Sequence, residues 1–191
     1  MGMVARLSSA SVVLDVGSGC GHHAYWWYRW FGAMSIGVDQ LESAVISARL
    51  RLARLPLRFC VLDVSTHLHT VVHQEWYDAV FAVSVLTYLA VGTEECGDLP
   101  ASRKTQCSAM RVMFAAVRVG GIAWNSHNGM YGGKWDPLVA WGPQYWECCF
   151  AAELAQPDPI LKMWIVAEAD LFLPPLRANP SYSVILRRLK P

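Results

Sequence analysis

Three glycines stand within five positions directly after a short apolar run, in the sequence VVLDVGSGCG from Val12 to Gly21. Glycine allows positive φ angles and lets a ligand approach the backbone closely. A helix that begins just after such a loop presents unpaired N–H groups, which favour an anionic group. Gly17, Gly19 and Gly21 therefore predict a ligand-binding loop.

Two aspartates end the apolar segments that come next. Asp39 follows the segment Met34–Val38 and lies 18 residues beyond Gly21, and Asp63 ends a third apolar segment. An aspartate at the first position can accept two hydrogen bonds from a ribose diol, and one at the second can accept from the exocyclic amine of adenine. Alternatively, Asp39 caps the following helix and Asp63 is a turn residue. The combination with the glycine loop favours a nucleotide site.

The dinucleotide fingerprint requires a glycine at the sixth position of the loop, where this chain has His22. This difference argues against NAD or FAD. A nicotinamide-dependent oxidoreductase is therefore kept only as an alternative hypothesis.

These residues require an alternating α/β framework to bring them together. Apolar runs and periodicity predict strands at Val12–Val16, Met34–Val38, Leu57–Val64, Tyr77–Ser84 and Ile122–Ser126, the last after a turn at Gly120-Gly121. Helices are predicted at His22–Phe31, Leu41–Leu55 and 100–118. The alternation predicts a parallel sheet with helices on both faces and a ligand site at the carboxyl ends of the strands.

The pattern changes after residue 128. We expect a loop at Gly129–Pro143, a helix at Tyr145–Leu154, and strands at Leu161–Leu173 and Tyr182–Leu189. The length of 191 residues predicts a single domain, 1–191, with a cofactor-binding half at 1–128 and a substrate-side part at 129–191.

Composition excludes several classes of partner. The chain has 16 basic and 15 acidic residues, so charge alone attracts neither nucleic acid nor an anionic membrane. No apolar stretch has the length of a membrane span, and the N-terminal residues carry no export signal. The six cysteines show no CxxC spacing and are expected to be reduced thiols of a cytoplasmic protein.

The order of five motifs resembles that of the class I methyltransferases that use S-adenosyl-L-methionine. The motifs are DVGSGCG, GVDQ, VLDV, YDAVFAVSVLTYL and VRVGGIAWNSHN, between Asp15 and Asn128. The resemblance implies a Rossmann-like three-layer sandwich with a mostly parallel seven-stranded sheet, whose last strand is antiparallel. It also implies S-adenosyl-L-methionine as cofactor and methyl transfer to an O, N or C atom.

The resemblance assigns each cofactor residue a place. Asp15 and the loop residues Gly17, Ser18, Gly19 and Gly21 lie near the methionine end of the cofactor. Asp39 holds the ribose, Gln40 lies beside the adenine, Asp63 and Val64 touch the adenine, and Ser84 lies near the sulfonium.

The methyl acceptor is expected to be a small molecule, because the segment from Ser84 has no Asn-Pro-Pro-Tyr type sequence that would indicate base methylation. His127, after the fifth strand, is a candidate general base, or else a hydrogen-bonded loop histidine. Tyr88 is a candidate for lining the acceptor pocket. No metal is expected, since the HLHTVVH stretch (His67, His69, His73) has no recognisable carboxylate or cysteine partner.

Aromatic residues motivate one further alternative. The rings Trp26, Trp27, Tyr28 and Trp30 of the first helix are predicted to pack in the core rather than to form a stacking platform. Exposed rings are expected among Trp135, Trp141, Trp146 and Phe150, and such a cluster often marks an interface. A non-catalytic module with this fold, which binds a cofactor or a partner protein, is therefore a second alternative.

Overall fold

The computed structural model describes residues 6–63, 67, 75–83, 85, 99–127, 130–131, 134–135, 146–147, 149–167 and 182–191. The strands are β1 Val12–Val16, β2 Met34–Asp39, β3 Arg58–Val61, β4 Tyr77–Val83, β5 Val117–His127, β6 Met130–Tyr131, β7 Lys134–Trp135, β8 Leu161–Ala167 and β9 Tyr182–Arg188. The helices are α1 His22–Phe31, α2 Glu42–Arg51, α3 Leu99–Ala116 and α4 Ala151–Leu154.

Seven strands form one sheet in the order β3-β2-β1-β4-β5-β9-β8. The pairs among β1 to β5 are parallel, whereas β9 is antiparallel to both β5 and β8. The strand order reverses between β1 and β4, and in such sheets the crevice at this reversal binds the ligand. The predicted Rossmann-like sheet with its last strand antiparallel is confirmed. β6 and β7 form a separate two-stranded sheet within the predicted loop.

Helices cover both faces of the sheet. Val13 of β1 and Phe81 of β4 pack in one hydrophobic cluster with Trp27 of α1. Leu14 of β1 packs in a second cluster with Met110 and Met113 of α3. Because successive strand residues point to opposite faces, α1 and α3 lie on opposite sides of β1. Among the described helices, none is long and apolar enough to cross a membrane.

The predicted start of β5 is wrong. Gly120-Gly121 does not form a turn ahead of the strand, because β5 begins at Val117 and the glycine pair lies within it. Val117 pairs with Tyr77 and Ile122 pairs with Ala79, so the strand carries an irregularity opposite β4. Gly120 has a φ of +85°, which accommodates this bulge. The other bounds differ by a few residues; β3 ends at Val61, and α2 ends at Arg51.

The aromatic helix α1 is only partly buried. Trp27 is 3% exposed, and its ring stacks on Phe81 with centroids 4.3 Å apart. Trp26 and Trp30 are 44% and 63% exposed and stack on each other. Core packing is therefore confirmed for Trp27 and wrong for Trp26 and Trp30, because one helix face turns away from the sheet.

The aromatic interface predicted beyond β5 is also corrected. Trp146 and Phe150 are 0% and 1% exposed, and both belong to the cluster around Met110 and Phe114 of α3. They are core residues, because the sheet face beneath α3 continues under the segment that precedes α4. Trp141 lies outside the described residues, and of Trp135 only the backbone in β7 is described.

Substituting Trp27→Ala should destabilise the fold by about 3–5 kcal/mol, because it opens a cavity against Phe81. Trp30→Ala, on the same helix, should cost about 1 kcal/mol or less, since only an exposed ring stack is lost. Urea unfolding monitored by circular dichroism compares the two. Equal losses in the two variants would contradict this assignment of the helix faces.

Candidate functional site

The glycine loop follows β1 and is held by the end of β2. The N–H groups of Gly17 and Ser18 both donate to the carbonyl of Val38, at 2.8 and 3.0 Å. Gly17, Gly19 and Gly21 have φ angles of +71°, +51° and +80°. Three left-handed residues in five positions explain why the sequence places glycine there.

The space around the loop differs from one glycine to the next. A Cβ at Gly17 would come within 2.0 Å of the Val85 side chain, and one at Gly21 within 2.8 Å of Phe59. At Gly19 no atom of the other described residues lies within 4 Å of the corresponding position. The loop is therefore packed at both ends and open in the middle, where a ligand can approach the backbone of Gly19.

Asp39 connects the loop to the start of α2. Its carboxylate accepts a hydrogen bond from the N–H of Gly19 at 2.8 Å and another from the N–H of Leu41 at 2.8 Å. Each carboxylate oxygen has two lone pairs, so each can accept one further hydrogen bond. The alternative that Asp39 caps the helix is wrong, because the N-cap of α2 is Leu41 and no described side chain caps it. The Asp39 carboxylate retains two acceptor positions for hydroxyl donors.

Asp15 is a carboxylate buried near the end of β1. It is 1% exposed, and neither oxygen has a hydrogen-bond partner among the described residues. Alternation along β1 places it on the α1 face of the sheet, beside the N–H of Ala24, which lies close but outside hydrogen-bond geometry. A buried polar group without a partner costs free energy, and a cationic group of a ligand would supply the missing partner.

The environment of Asp15 favours its neutral form. Burial is the largest cause that raises the pKa of Asp15 to about 8; the Ala24 N–H lowers the pKa, and the negative charge of Asp39 adds to the rise. An ammonium group placed against Asp15 would reverse this effect, because it favours the charged carboxylate.

The remaining predicted cofactor residues are only partly covered by the structure. Ser18 is buried, and its hydroxyl has no hydrogen-bond partner among the described residues. Gln40 is exposed directly after β2. Asp63 lies two residues beyond β3, where its carbonyl accepts a hydrogen bond from the N–H of His67. Val64 and Ser84 lie outside the described residues.

The two candidate catalytic residues stay predictions. His127 is the last residue of β5 and pairs with Tyr182 of β9, so its backbone lies at the carboxyl edge. Its side chain is not among those described, and Tyr88 lies outside the described residues, as do His69 and His73. In the part of the chain that the structure describes, no group of three His, Cys, Asp or Glu side chains forms a potential metal site.

Sequence reasoning missed two residues at this edge. Val85, just after β4, packs against Gly17 and thereby closes the loop on one side. Asn125 of β5 is buried, and its amide has no hydrogen-bond partner among the described residues. A polar side chain within the otherwise apolar run IAWN was the available signal.

Part of the chain matches a known protein-family model. Residues 13–96 match the family model described as "Methyltransferase domain". This match, which covers 84 of the 191 residues, and the strand order agree with the resemblance of the motifs to class I S-adenosylmethionine-dependent methyltransferases. S-adenosylmethionine is the cofactor of that class, and the orphaned Asp15 carboxylate and the open Gly19 are suited to it.

Solved structures show the same fold at low sequence identity. A SAM-dependent methyltransferase from Thiobacillus denitrificans, in complex with S-adenosyl-L-homocysteine, is 22% identical with a TM-score of 0.50, and the match covers 66% of this chain and 45% of that one. This chain thus spans less than half the length of that protein.

Two other structures match over nearly the whole chain. An rRNA methylase from Streptococcus thermophilus is 14% identical with a TM-score of 0.60, over 98% of this chain and 92% of that one. A TehB-like SAM-dependent methyltransferase from Corynebacterium glutamicum is 14% identical with a TM-score of 0.61, over 97% and 84%. No curated protein matches the chain.

The raised pKa of Asp15 predicts a pH-dependent stability. Between pH of about 4 and 8 the unfolded chain releases a proton that the folded chain retains, so the free energy of unfolding falls as pH rises through this range. From pH 5 to pH 8, the free energy of unfolding of the wild type should fall by more than about 1 kcal/mol relative to that of Asp15→Asn, whose asparagine cannot titrate.

Denaturant unfolding at both pH values measures this difference. Because all other titrating groups are common to the two proteins, their contributions cancel in the comparison. Parallel pH profiles for the wild type and the variant would show that Asp15 has an ordinary pKa.

Proposed function

We propose that this protein transfers the methyl group of S-adenosylmethionine to an O, N or C atom of a small-molecule acceptor. The observation that carries the proposal is the buried carboxylate of Asp15, which has no hydrogen-bond partner among the described residues. It lies at the end of β1, directly before a glycine loop that is open at Gly19. A ligand with both an ammonium group and a nucleoside matches this arrangement.

The binding residues are assigned by their chemistry. Asp15 accepts hydrogen bonds from the ammonium group at the methionine end, and the Ser18 hydroxyl is a second polar contact there. Asp39 accepts from the ribose hydroxyls with the lone pairs that Gly19 and Leu41 leave unused. Gln40, Asp63 and Val64 surround the adenine, and Ser84 lies near the sulfonium, as the motif resemblance implies.

The reaction needs positioning more than it needs acid–base chemistry. S-adenosylmethionine supplies a methyl group on a sulfonium, which is already an activated electrophile. The chain's own part is to hold the acceptor in line at the carboxyl edge and to exclude water. His127 is the proposed group for removing a proton from an acceptor hydroxyl or amine, and Tyr88 is proposed to line the acceptor pocket.

Two further proposals concern the whole chain. We propose that residues 1–191 act as one domain, supported by β8 and β9, which join the sheet of the cofactor-binding half. A cytoplasmic location is supported by the free thiols of the four described cysteines, Cys20, Cys60, Cys107 and Cys149.

The role of Asp15 can be tested with ligands that differ at one end. Asp15→Asn should weaken the binding of S-adenosylmethionine and S-adenosylhomocysteine tenfold or more, and a tenfold change in affinity is about 1.4 kcal/mol. The same substitution should leave the affinity for 5′-methylthioadenosine within about twofold of the wild-type value, because that nucleoside lacks the ammonium group. Isothermal titration calorimetry of wild type and variant measures both effects, with circular dichroism as a control for folding.

Other results would change the assignment. Equal losses for all three ligands would mean that Asp15 shapes the loop instead of binding the ammonium. NAD is titrated in parallel, and binding of NAD as tight as that of S-adenosylmethionine would favour the oxidoreductase alternative.

The acceptor class can be tested by following the methyl group. The wild type is incubated with tritium-methyl S-adenosylmethionine and a cell extract separated into small molecules, RNA and protein. Label should accumulate in the small-molecule fraction and fall at least tenfold with Asp15→Asn. Label in RNA or protein would contradict a small acceptor. Cofactor binding without any transfer would favour the non-catalytic alternative.

A further inference from the structure

A pair of cysteines lies on the face of the sheet opposite Asp15. Cys107, on α3, is half-buried, and its thiol donates a hydrogen bond to the carbonyl oxygen of Cys149 over 3.8 Å. The Cys149 side chain in turn forms a hydrogen bond with the Cys107 sulfur. Cys149 is buried and Cys107 is partly exposed, so only one thiol of the pair is accessible.

An arginine is fixed beside this pair. Arg111 follows Cys107 by one helical turn and donates hydrogen bonds to the Cys149 carbonyl and to the carboxylate of Glu153. Its guanidinium carbon lies 5.1 Å from the centre of the Phe150 ring. The ion pair and the ring hold a positive charge next to the Cys107 sulfur.

These neighbours favour the thiolate of Cys107. The hydrogen bond from Cys149 and the Arg111 guanidinium lower the pKa of the Cys107 thiol to about 7, against opposing contributions from burial and from Glu153. Thiolates, and not thiols, react with peroxides, so an accessible thiolate beside a second thiol has the arrangement of an oxidisable pair.

We propose that Cys107 and Cys149 form a peroxide-sensitive dithiol, a modification site separate from the cofactor site. In the first step the Cys107 thiolate attacks one oxygen of hydrogen peroxide. The O–O bond breaks, an S–O bond forms, and hydroxide leaves, which gives a sulfenic acid at Cys107. In the second step the Cys149 sulfur attacks the Cys107 sulfur, the S–O bond breaks, and water leaves. The two sulfurs lose two electrons in total to the peroxide.

The disulfide would connect α3 to the segment that precedes α4. Cys107 lies on the helix that covers β4 and β5, and Cys149 lies next to the buried rings Trp146 and Phe150. A covalent link between them ties the segment before α4 to α3. The inference depends on the described residues around Arg111 and not on the proposed methyl transfer.

The test uses the full chain, fully reduced and then treated with one equivalent of hydrogen peroxide at pH 7.5. The expected product has lost the mass of two hydrogens and, after alkylation and non-reducing digestion with trypsin, contains a peptide that joins Cys107 to Cys149. Because Cys148 lies on the same tryptic peptide as Cys149, the Cys148→Ser variant is mapped in parallel and should form the same link.

Variants of each sulfur complete the test. Cys107→Ser and Cys149→Ala should abolish the link, and Cys149→Ala should instead accumulate a sulfenic acid at Cys107 that dimedone traps. Cys60→Ser, at an exposed position on β3, is the matched control and should behave as the wild type.

Two outcomes would overturn the proposal. The first is a link that persists in Cys149→Ala, which would identify another partner for Cys107. The second is oxidation of Cys60 before Cys107 in the wild type. Circular dichroism of each variant verifies that a lost link reflects the missing sulfur and not an unfolded chain.

Discussion

The carboxylate of Asp39 joins the glycine loop to the start of α2, and the rest of the site depends on this connection. Its two hydrogen bonds reach the N–H groups of Gly19 and Leu41, while the neighbouring Val38 carbonyl holds Gly17 and Ser18. Ordering one residue costs about 1–2 kcal/mol, and glycine costs more than other residues. Hydrogen bonds to a charged group contribute about 1.5–3 kcal/mol each, which offsets part of the cost of ordering this loop.

The loop has a rigid frame with an open centre. Val85 fills the space beside Gly17, and Phe59 and Leu52 fill the space beside Gly21. The middle glycine has no described atom within 4 Å of its absent side chain, so in the described part of the chain the loop is open there. A side chain at either end would collide with the core, whereas one at the middle would occupy ligand space. The same residue type therefore serves packing at two positions and access at the third.

Local signals predicted the cofactor side of the fold well. β1 and α1 have the predicted bounds, because an apolar run, a glycine loop and the terminating Gly32 act within a few residues of each other. The start of β5 was wrong because the pairing of Val117 with Tyr77, distant in sequence, extends the strand through a glycine pair that resembles a turn. Periodicity alone likewise identified Trp27 but not the exposure of Trp30, since the orientation of a helix depends on its neighbours.

The site residues also divide into features that the local sequence predicts and features that depend on distant contacts. The position of Asp15 at the end of β1 followed from the sequence, but the absence of a hydrogen-bond partner among the described residues depends on α1 and β2 packing around it. The proximity of Cys107 to Cys149 could not be predicted, because 42 residues separate them in the chain. Contacts of this kind are decided by the packing of the sheet face and not by any motif.

The sheet keeps two unlike charges apart. On the α1 face, a carboxylate without a cation nearby is held at the end of β1, and its pKa is raised by burial. On the α3 face, a guanidinium lies beside a thiol, and the pKa of that thiol is lowered. On the α3 face the environment already favours the thiolate that oxidation uses, whereas on the α1 face the environment favours the neutral carboxyl group, and a ligand's ammonium would be needed to favour the charged form. Because the sheet stands between the two, a disulfide on the α3 face would tie the segment before α4 to α3 without contacting Asp15.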